Sequence, residues 1–253
     1  VAGGVLMQNK NVLYITMEMA EERIAERIDA NLMNISLNEI ESIGQKSFIN
    51  KVKKISQKTT GKLIVKEYPT ASAHVGHFRA LLNELKLKKN FVPDIIFIDY
   101  LNICASSRIK GLGGSVNTYS YIKSIAEELR GLAVEFDVPI LSATQTTRSG
   151  FSNSDVGLED TSESFGLPAT ADMMFALIST EELANLNQLM VKQLKNRYAD
   201  IGTNKRFVIG VDRPKMRLYD VEASAQTLIQ VDQGTSNNHI PTQKTLDTEG
   251  FKF

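Results

Sequence analysis

Five stations along this 253-residue chain carry polar side chains close to an apolar, β-rich run. Asp99 follows Ile95-Ile96-Phe97-Ile98. A carboxylate at the end of a hydrophobic strand can hold Mg²⁺, often through water, beside a nucleoside triphosphate; a solvated acid at a strand end is the plainer reading. Glu18 lies just past Asn11–Thr16, where it could orient and deprotonate an attacking water or simply favour the dipole of the helix that follows. Gln145 follows Pro139–Ala143, and a side-chain amide there can sense a γ-phosphate and position water; a polar loop residue is the alternative. Arg148 comes three residues later and could face phosphate. Lys195 and Arg197 flank Asn196 and share one face of a strand by its period of two. Such a pair can reach a neighbouring subunit's nucleotide or form a solvated basic face. The last station, Ser162-Glu163-Ser164 followed by Asp172, suggests no chemistry of its own.

These stations matter only if the chain aligns them, and the pattern says how. In an open parallel sheet, ligands bind beyond the carboxyl ends of the strands. Short β-rich runs alternate with longer helical stretches, as parallel βαβ units require. Strands are expected at Asn11–Thr16, Lys62–Lys66, Asp94–Tyr100, Pro139–Ala143 and Met173–Ile178. Helices are expected at Ala2–Gln8, Glu21–Leu32, 45–58, His74–Asn90 and Tyr119–Phe136, and Ser36 with Glu39 has capping-box spacing. Leu189–Leu194, Arg206–Val211 and Arg217–Val221 are spaced closely enough to be antiparallel additions at one edge. The fold class is therefore α/β: a mostly parallel sheet flanked by helices, spanning residues 1–222. Residues 223–253 are rich in Gln, Thr, Asn and Ser and read as a polar, disordered tail.

Composition sets outer bounds. Lys+Arg and Asp+Glu are both 29, so a strongly basic nucleic-acid coat is excluded, although a few placed cations suffice to bind a strand. The single cysteine, Cys104, excludes an internal disulfide and a cysteine zinc cluster and suits a reducing cytosol. No apolar run approaches the ~20 residues of a spanning helix, and no signal peptide is visible. The segment Lys110-Gly111-Leu112-Gly113-Gly114-Ser115, with Arg108 just before it, reads as a flexible crossover or nucleic-acid loop. It is not a G-x-x-x-x-G-K-[ST] phosphate loop, and that pattern occurs nowhere in the chain. His74 and His77 lack a third metal ligand and read as helix-surface residues. Met17, Met19, Met173 and Met174 read as core filling. The lysines at 46, 51, 53, 54 and 58 read as a solvated face.

Taken in order, the stations resemble the DnaB-type hexameric replicative helicases, closest to the T-even phage branch. The matching stretches are NVLYITMEMAEERIAERIDAN, LLNELKLKKNFVPDIIFIDYLNIC, SIAEELRGLAVE, SESFGLPATADMMFALISTEELA and KQLKNRY. The resemblance implies a RecA-like motor domain that couples hydrolysis of ATP, or another NTP, with Mg²⁺, to movement on single-stranded DNA at the replication fork. By matching position, Glu18 would activate water, Asp99 would be the Walker B acid on Mg²⁺, and Gln145 would sense the γ-phosphate. Lys195 and Arg197 would act in trans on the next subunit. The loops at 106–117 and 148–157 would line the channel, with Arg108, Lys110, Gly111, Arg148, Ser149 and Asn153 toward DNA. Glu163 and Ser164 match part of the fourth motif, as loop support. A homo-hexamer, a primase, a helicase loader and the host cytoplasm are implied partners and setting, with no membrane.

The family's phosphate loop lies just upstream of the helix with which this chain begins. Truncation before residue 1 and weak or absent ATPase activity of the chain alone are therefore expected. A RecA- or KaiC-like ATPase of recombination or signalling, or a non-catalytic module binding DNA or a partner, are the alternatives.

Overall fold

The computed structural model of the chain describes residues 1–109, 118–146, 157–158, 166–202, 204–222 and 226. The chain divides into two compact units, Val1–Asp220 and Val221–Phe253, and the elements below belong to the first. They are α1 (Ala2–Leu6), β1 (Val12–Thr16), α2 (Glu21–Met33), α3 (Leu37–Ser42), α4 (Gln45–Ser56), β2 (Leu63–Glu67), α5 (Val75–Lys89) and β3 (Ile95–Asp99). A 3₁₀ turn (Leu101–Ile103) follows, then α6 (Thr118–Phe136), β4 (Ile140–Ser142), α7 (Gly166–Thr170) and β5 (Met173–Ile178). The last are α8 (Glu181–Asn185), β6 (Gln188–Asn196), β7 (Arg206–Asp212) and β8 (Arg217–Asp220).

The first sheet is parallel, in the order β2-β1-β3-β4. Its strands are apolar on both faces, as helices on both sides demand. Leu13 and Ile15 of β1, with Ile96 and Ile98 of β3, point into a core built with Phe78, Leu82 and Leu85 of α5 and Ile122, Ile125 and Leu132 of α6. Val12 of β1 and Phe97 of β3 point the other way, onto Leu6 of α1 and Ile24 and Ile28 of α2. Gly3 of α1 lies against the Asn31 and Leu32 side chains of α2, which a Cβ there would meet. Helix ends follow local chemistry. Ser36 Oγ accepts from Glu39 N at 3.2 Å and Ser36 N donates to Glu39 Oε2 at 2.6 Å, completing the expected capping box. Asn34 and Asn90 close α2 and α5 in the left-handed region.

The antiparallel strands form a sheet of their own, β5-β6-β7-β8. The spacing of Leu189–Leu194, Arg206–Val211 and Arg217–Val221 predicts antiparallel strands at an edge of the parallel sheet; they are antiparallel, but they pair with one another and with β5 instead. Among the described residues β4 is only three residues long and its ladder runs to β3, so the first sheet stops there. In β5, Ala176 and Ile178 turn inward, while Met173, Phe175 and Leu177 are exposed on the alternate positions. Met173 is thus a correction to the core reading: strand period, not side-chain chemistry, sets its face. Met17 is buried and Met19 packs against the α1–α2 core, as expected. No residue of the lysine-rich α4 is buried. No helix among the described residues is long and apolar enough to cross a membrane.

Candidate functional site

Parallel pairing brings the first three stations to one rim. Thr16 is in register with Asp99, and Met17 N donates to Asp99 O at 3.1 Å, so Glu18 starts its turn beside the end of β3. On the other side Ile98 is in register with Ser142, and Leu101 N donates to Ala143 O at 3.3 Å, which sets Gln145 beside Tyr100. Gln145 Nε2 donates to Tyr100 Oη at 3.2 Å. Glu18, Asp99 and Gln145 therefore leave the carboxyl ends of three neighbouring strands.

The turn carrying Glu18 is pinned from two directions. Thr16 Oγ1 donates to Met19 O at 2.9 Å and accepts from Met19 N at 3.1 Å, and Thr70 Oγ1 donates to Met17 O at 2.7 Å. The Glu18 side chain itself is exposed. Asp99 is half-buried and accepts from Tyr14 Oη at 2.9 Å. Burial, then the Asp99 charge, holds the Tyr14 hydroxyl far above its usual value, so it stays a donor to that carboxylate. Tyr14 stacks on Phe97 at 5.8 Å between ring centroids.

Asp99 and Glu18 are the carboxylates on this rim that could hold a metal, and both leave room for water and phosphate oxygens. No cluster of three or more His, Cys, Asp or Glu able to hold a metal occurs among the described residues, and Mg²⁺ typically takes one or two carboxylates, waters and phosphate oxygens. Two buried polar atoms on the same rim, Asn102 Oδ1 and Thr144 Oγ1, have no hydrogen-bond partner among the described residues. Buried polar atoms are rarely left so.

Lys195 and Arg197 do share a face: both donate to Ala169 O, at 3.3 and 2.7 Å. Lys195 Nζ also donates to Pro168 O at 2.5 Å. These carbonyls end α7, where a helix presents unpaired acceptors and negative dipole. Arg197 Nη1 and Arg130 Nη1 both donate to Asp172 Oδ1, at 2.9 and 2.8 Å, and Arg130 Nη1 also reaches Thr170 O at 2.8 Å. The Arg130 hydrogen bond, with Arg197 adding, holds the Asp172 carboxyl below its ordinary value. Burial, then Arg197, lowers the Lys195 ammonium. Sequence reasoning missed this role for Asp172 and Arg130, because they are 42 positions apart and no periodicity joins them.

Arg108 pairs with Glu127 at 2.9 Å on the surface of α6. Lys110, Gly111, Arg148, Ser149, Asn153, Glu163 and Ser164 lie outside the described residues. His74 and His77 are more than surface residues. Each Nδ1 accepts a backbone N–H, from Gly76 at 3.0 Å and from His74 at 3.2 Å, so they form the N-terminal capping box of α5.

A model of the DnaB-like helicase C-terminal domain family matches residues 1–213. The chain is 46% identical over 246 residues to the DnaB-like replicative helicase of Enterobacteria phage T4, covering 96% of this chain and 51% of that protein. It thus spans about half the length of the curated relatives it matches. Among solved structures, an ATPase domain aligns with a TM-score of 0.70 and 18% identity, covering 87% of this chain and 78% of that one. A DnaB-like replicative helicase, described with its interactions with primase, aligns with a TM-score of 0.69 and 18% identity, covering 87% and 53%. These structures share the RecA-like fold found here. With three chemical stations on one parallel rim and a family match over most of its length, the chain belongs to the DnaB-like helicase C-terminal domain family.

Proposed function

We propose that this chain is the motor domain of a replicative DNA helicase that couples NTP hydrolysis to movement along single-stranded DNA and to duplex unwinding at the fork. The observation that carries the reading is the convergence of Glu18, Asp99 and Gln145 at adjacent strand ends in a chain of this family. Magnesium, when bound with ATP or another NTP, supplies charge neutralisation at the β- and γ-phosphates. Asp99 would hold that metal through water, and Tyr14 fixes its carboxylate by donating to it. Glu18 accepts the proton of the attacking water. Gln145, tied to Tyr100, reads the terminal phosphate. Lys195 and Arg197 leave Asp172 and the end of α7 to reach a neighbouring subunit's nucleotide, which requires an assembled neighbour; the family reading makes that assembly a homo-hexameric ring.

Residues 1–222 form this motor, and 223–253 a tail beyond it. Single-stranded DNA passes Arg108, Lys110, Gly111, Arg148, Ser149 and Asn153, mostly by phosphate contact. Primase and a helicase loader are the protein partners, and the host cytoplasm is the setting. The chain itself contains no G-x-x-x-x-G-K-[ST], so alone it hydrolyses ATP weakly or not at all. The family match weighs against a recombination or signalling ATPase.

The test is unwinding of a forked DNA duplex by the intact protein with Mg²⁺ and ATP. Strand separation that Glu18→Gln abolishes supports the reading. Strand exchange without unwinding rejects it, and robust Mg²⁺-dependent hydrolysis by residues 1–253 alone rejects the account of the phosphate loop.

A further inference from the structure

One buried acid takes no part in the chemistry above. Glu128, on α6, is 6% exposed, and among the described residues no Lys or Arg side chain pairs with it. Its carboxylate is satisfied by neutral donors from one short segment. Ser106 Oγ donates to Oε1 at 2.6 Å, and Ser107 N and Oγ donate to Oε2 at 2.9 and 2.6 Å. Arg108 N approaches Oε1 at 3.4 Å. The segment is folded around the same contacts, since Ser106 Oγ accepts from Arg108 N at 3.2 Å and Ile109 N at 3.3 Å, while Ser106 N donates to Tyr121 Oη at 3.2 Å.

Burying a carboxylate is costly unless every lone pair is met. Here the donors that meet them all come from three consecutive residues, Ser106, Ser107 and Arg108. Burial pushes the Glu128 carboxyl up, but the Ser106 and Ser107 hydrogen bonds outweigh it and hold the group below its ordinary value, ionised. The acid therefore fixes backbone rather than neutralising a cation. It leaves the Arg108 guanidinium outside, in an exposed pair with Glu127 whose side chains are 58% and 39% accessible. An exposed pair of this kind is weak and readily exchanged for another anion.

We infer that Glu128 is the positioning residue of the Arg108 segment: it clamps Ser106 and Ser107 to α6 so that Arg108 meets a phosphate of single-stranded DNA. The inference rests on the helicase reading above, because the ligand is the strand that reading supplies. Glu128 does not touch the strand. It acts through the serines, and Arg108 exchanges Glu127 for phosphate.

The experiment is a salt titration of the 253-residue chain binding a fluorescent oligo-dT, read by anisotropy. The variants are Arg108→Ala, Glu128→Gln and the double variant. Each phosphate contact to a single strand contributes about 0.7 to the slope of log K against log salt. Arg108→Ala is expected to lower that slope by about 0.7. Glu128→Gln, with charge removed only at a buried site, is expected to lower it by the same amount. The double variant is expected to match either single one, because both remove one contact. Glu128→Asp, which keeps the charge, is expected to recover part of the slope.

An unchanged slope in folded Glu128→Gln, beside a lowered slope in Arg108→Ala, overturns the inference and leaves the helicase reading standing. Additive losses in the double variant also overturn it. No binding of oligo-dT by the parent chain overturns the inference, and unwinding by the intact protein then judges the helicase reading by itself. If Glu128→Gln does not fold, Ser107→Ala removes one clamp and leaves the carboxylate; it then carries the same test, with a slope loss expected and an unchanged slope overturning the proposal.

Discussion

Arg197 and Asp172 are joined twice. The guanidinium Nη1 lies 2.9 Å from the carboxylate, and Arg197 N donates to Asp172 O at 3.0 Å. The second bond extends the β5–β6 pairing, in which Met173 faces Asn196, and the first places a cation at the end of α7. A side chain proposed to act on a neighbouring subunit is thus docked within its own, on an acid it shares with Arg130.

Asp172→Asn is expected to weaken this docking. The side chains are roughly 36–42% exposed, so solvent screening keeps the stability loss to about 1 kcal/mol, read as a small fall in Tm. The pH dependence has a definite sign. The Asp172 carboxyl is lowered in the fold from its ordinary value of 3.8, so its stabilisation is complete above that value and is lost as pH falls through the lower folded value. The variant lacks that acid limb. Identical acid unfolding curves for parent and variant reject the prediction.

Glu18→Gln in the intact protein keeps the volume of the side chain and removes the proposed proton acceptor. Turnover at saturating nucleotide is expected to fall by about 10²–10⁴-fold, the usual contribution of a general base. Nucleotide affinity is expected to change little, because Glu18 is exposed and its turn is held by Thr16 and Thr70. Steady-state hydrolysis and equilibrium nucleotide binding separate the two effects.

Acidification is expected to loosen the start of α5. Both imidazole Nδ1 atoms must be unprotonated to accept their backbone N–H groups. Burial, then His77, lowers the His74 imidazole from its ordinary 6.5. The unfolded chain therefore protonates first. Stability is complete above 6.5 and declines as pH drops toward the folded value. His74→Asn, a good N-cap that does not titrate, is expected to flatten this part of the stability curve. Denaturant unfolding at several pH values checks it.

Phe78 is fully buried and meets Tyr68 at 5.8 Å between ring centroids. Phe78→Ala is expected to cost about 3–5 kcal/mol, because the core between α5 and the sheet must keep a cavity. Leu87, on the same helix but 84% exposed, is expected to change stability by less than about 0.5 kcal/mol as Leu87→Ala. Thermal and urea unfolding of the pair would measure the contrast.

Much of the fold was legible before the structure. The boundaries of β1, β3, α2 and α5 fall within one or two residues of those expected from apolar runs and helical periodicity. Ser36 and Glu39 made the capping box that their spacing indicates. Short elements were less legible. α7 and α8 have five residues each, too few for a period to declare itself; α8 is capped by Thr180, whose side chain accepts from Leu183 N.

The rim was legible in part. That Glu18, Asp99 and Gln145 follow strands is a statement about sequence. That those strands are neighbours, in the order β1-β3-β4, is a statement about pairing across more than 80 positions from Thr16 to Asp99. His74 and His77 could have been recognised as a cap, since polar side chains three apart at a helix start are the signal; imidazole is simply an uncommon acceptor there.

Sequence by itself determined the local grammar of this protein: which segments are strand or helix, which strand ends carry a carboxylate or an amide, and which cations share a face. These follow from short-range sterics and from alternation, which act over a few residues. Only the tertiary structure decided that Asp172 holds both Arg130 and Arg197, that Glu128 closes on Ser106 and Ser107, and that the antiparallel strands make a separate sheet. Those contacts join distant positions through burial and hydrogen bonding, and no spacing rule encodes a partner that only chain folding brings near.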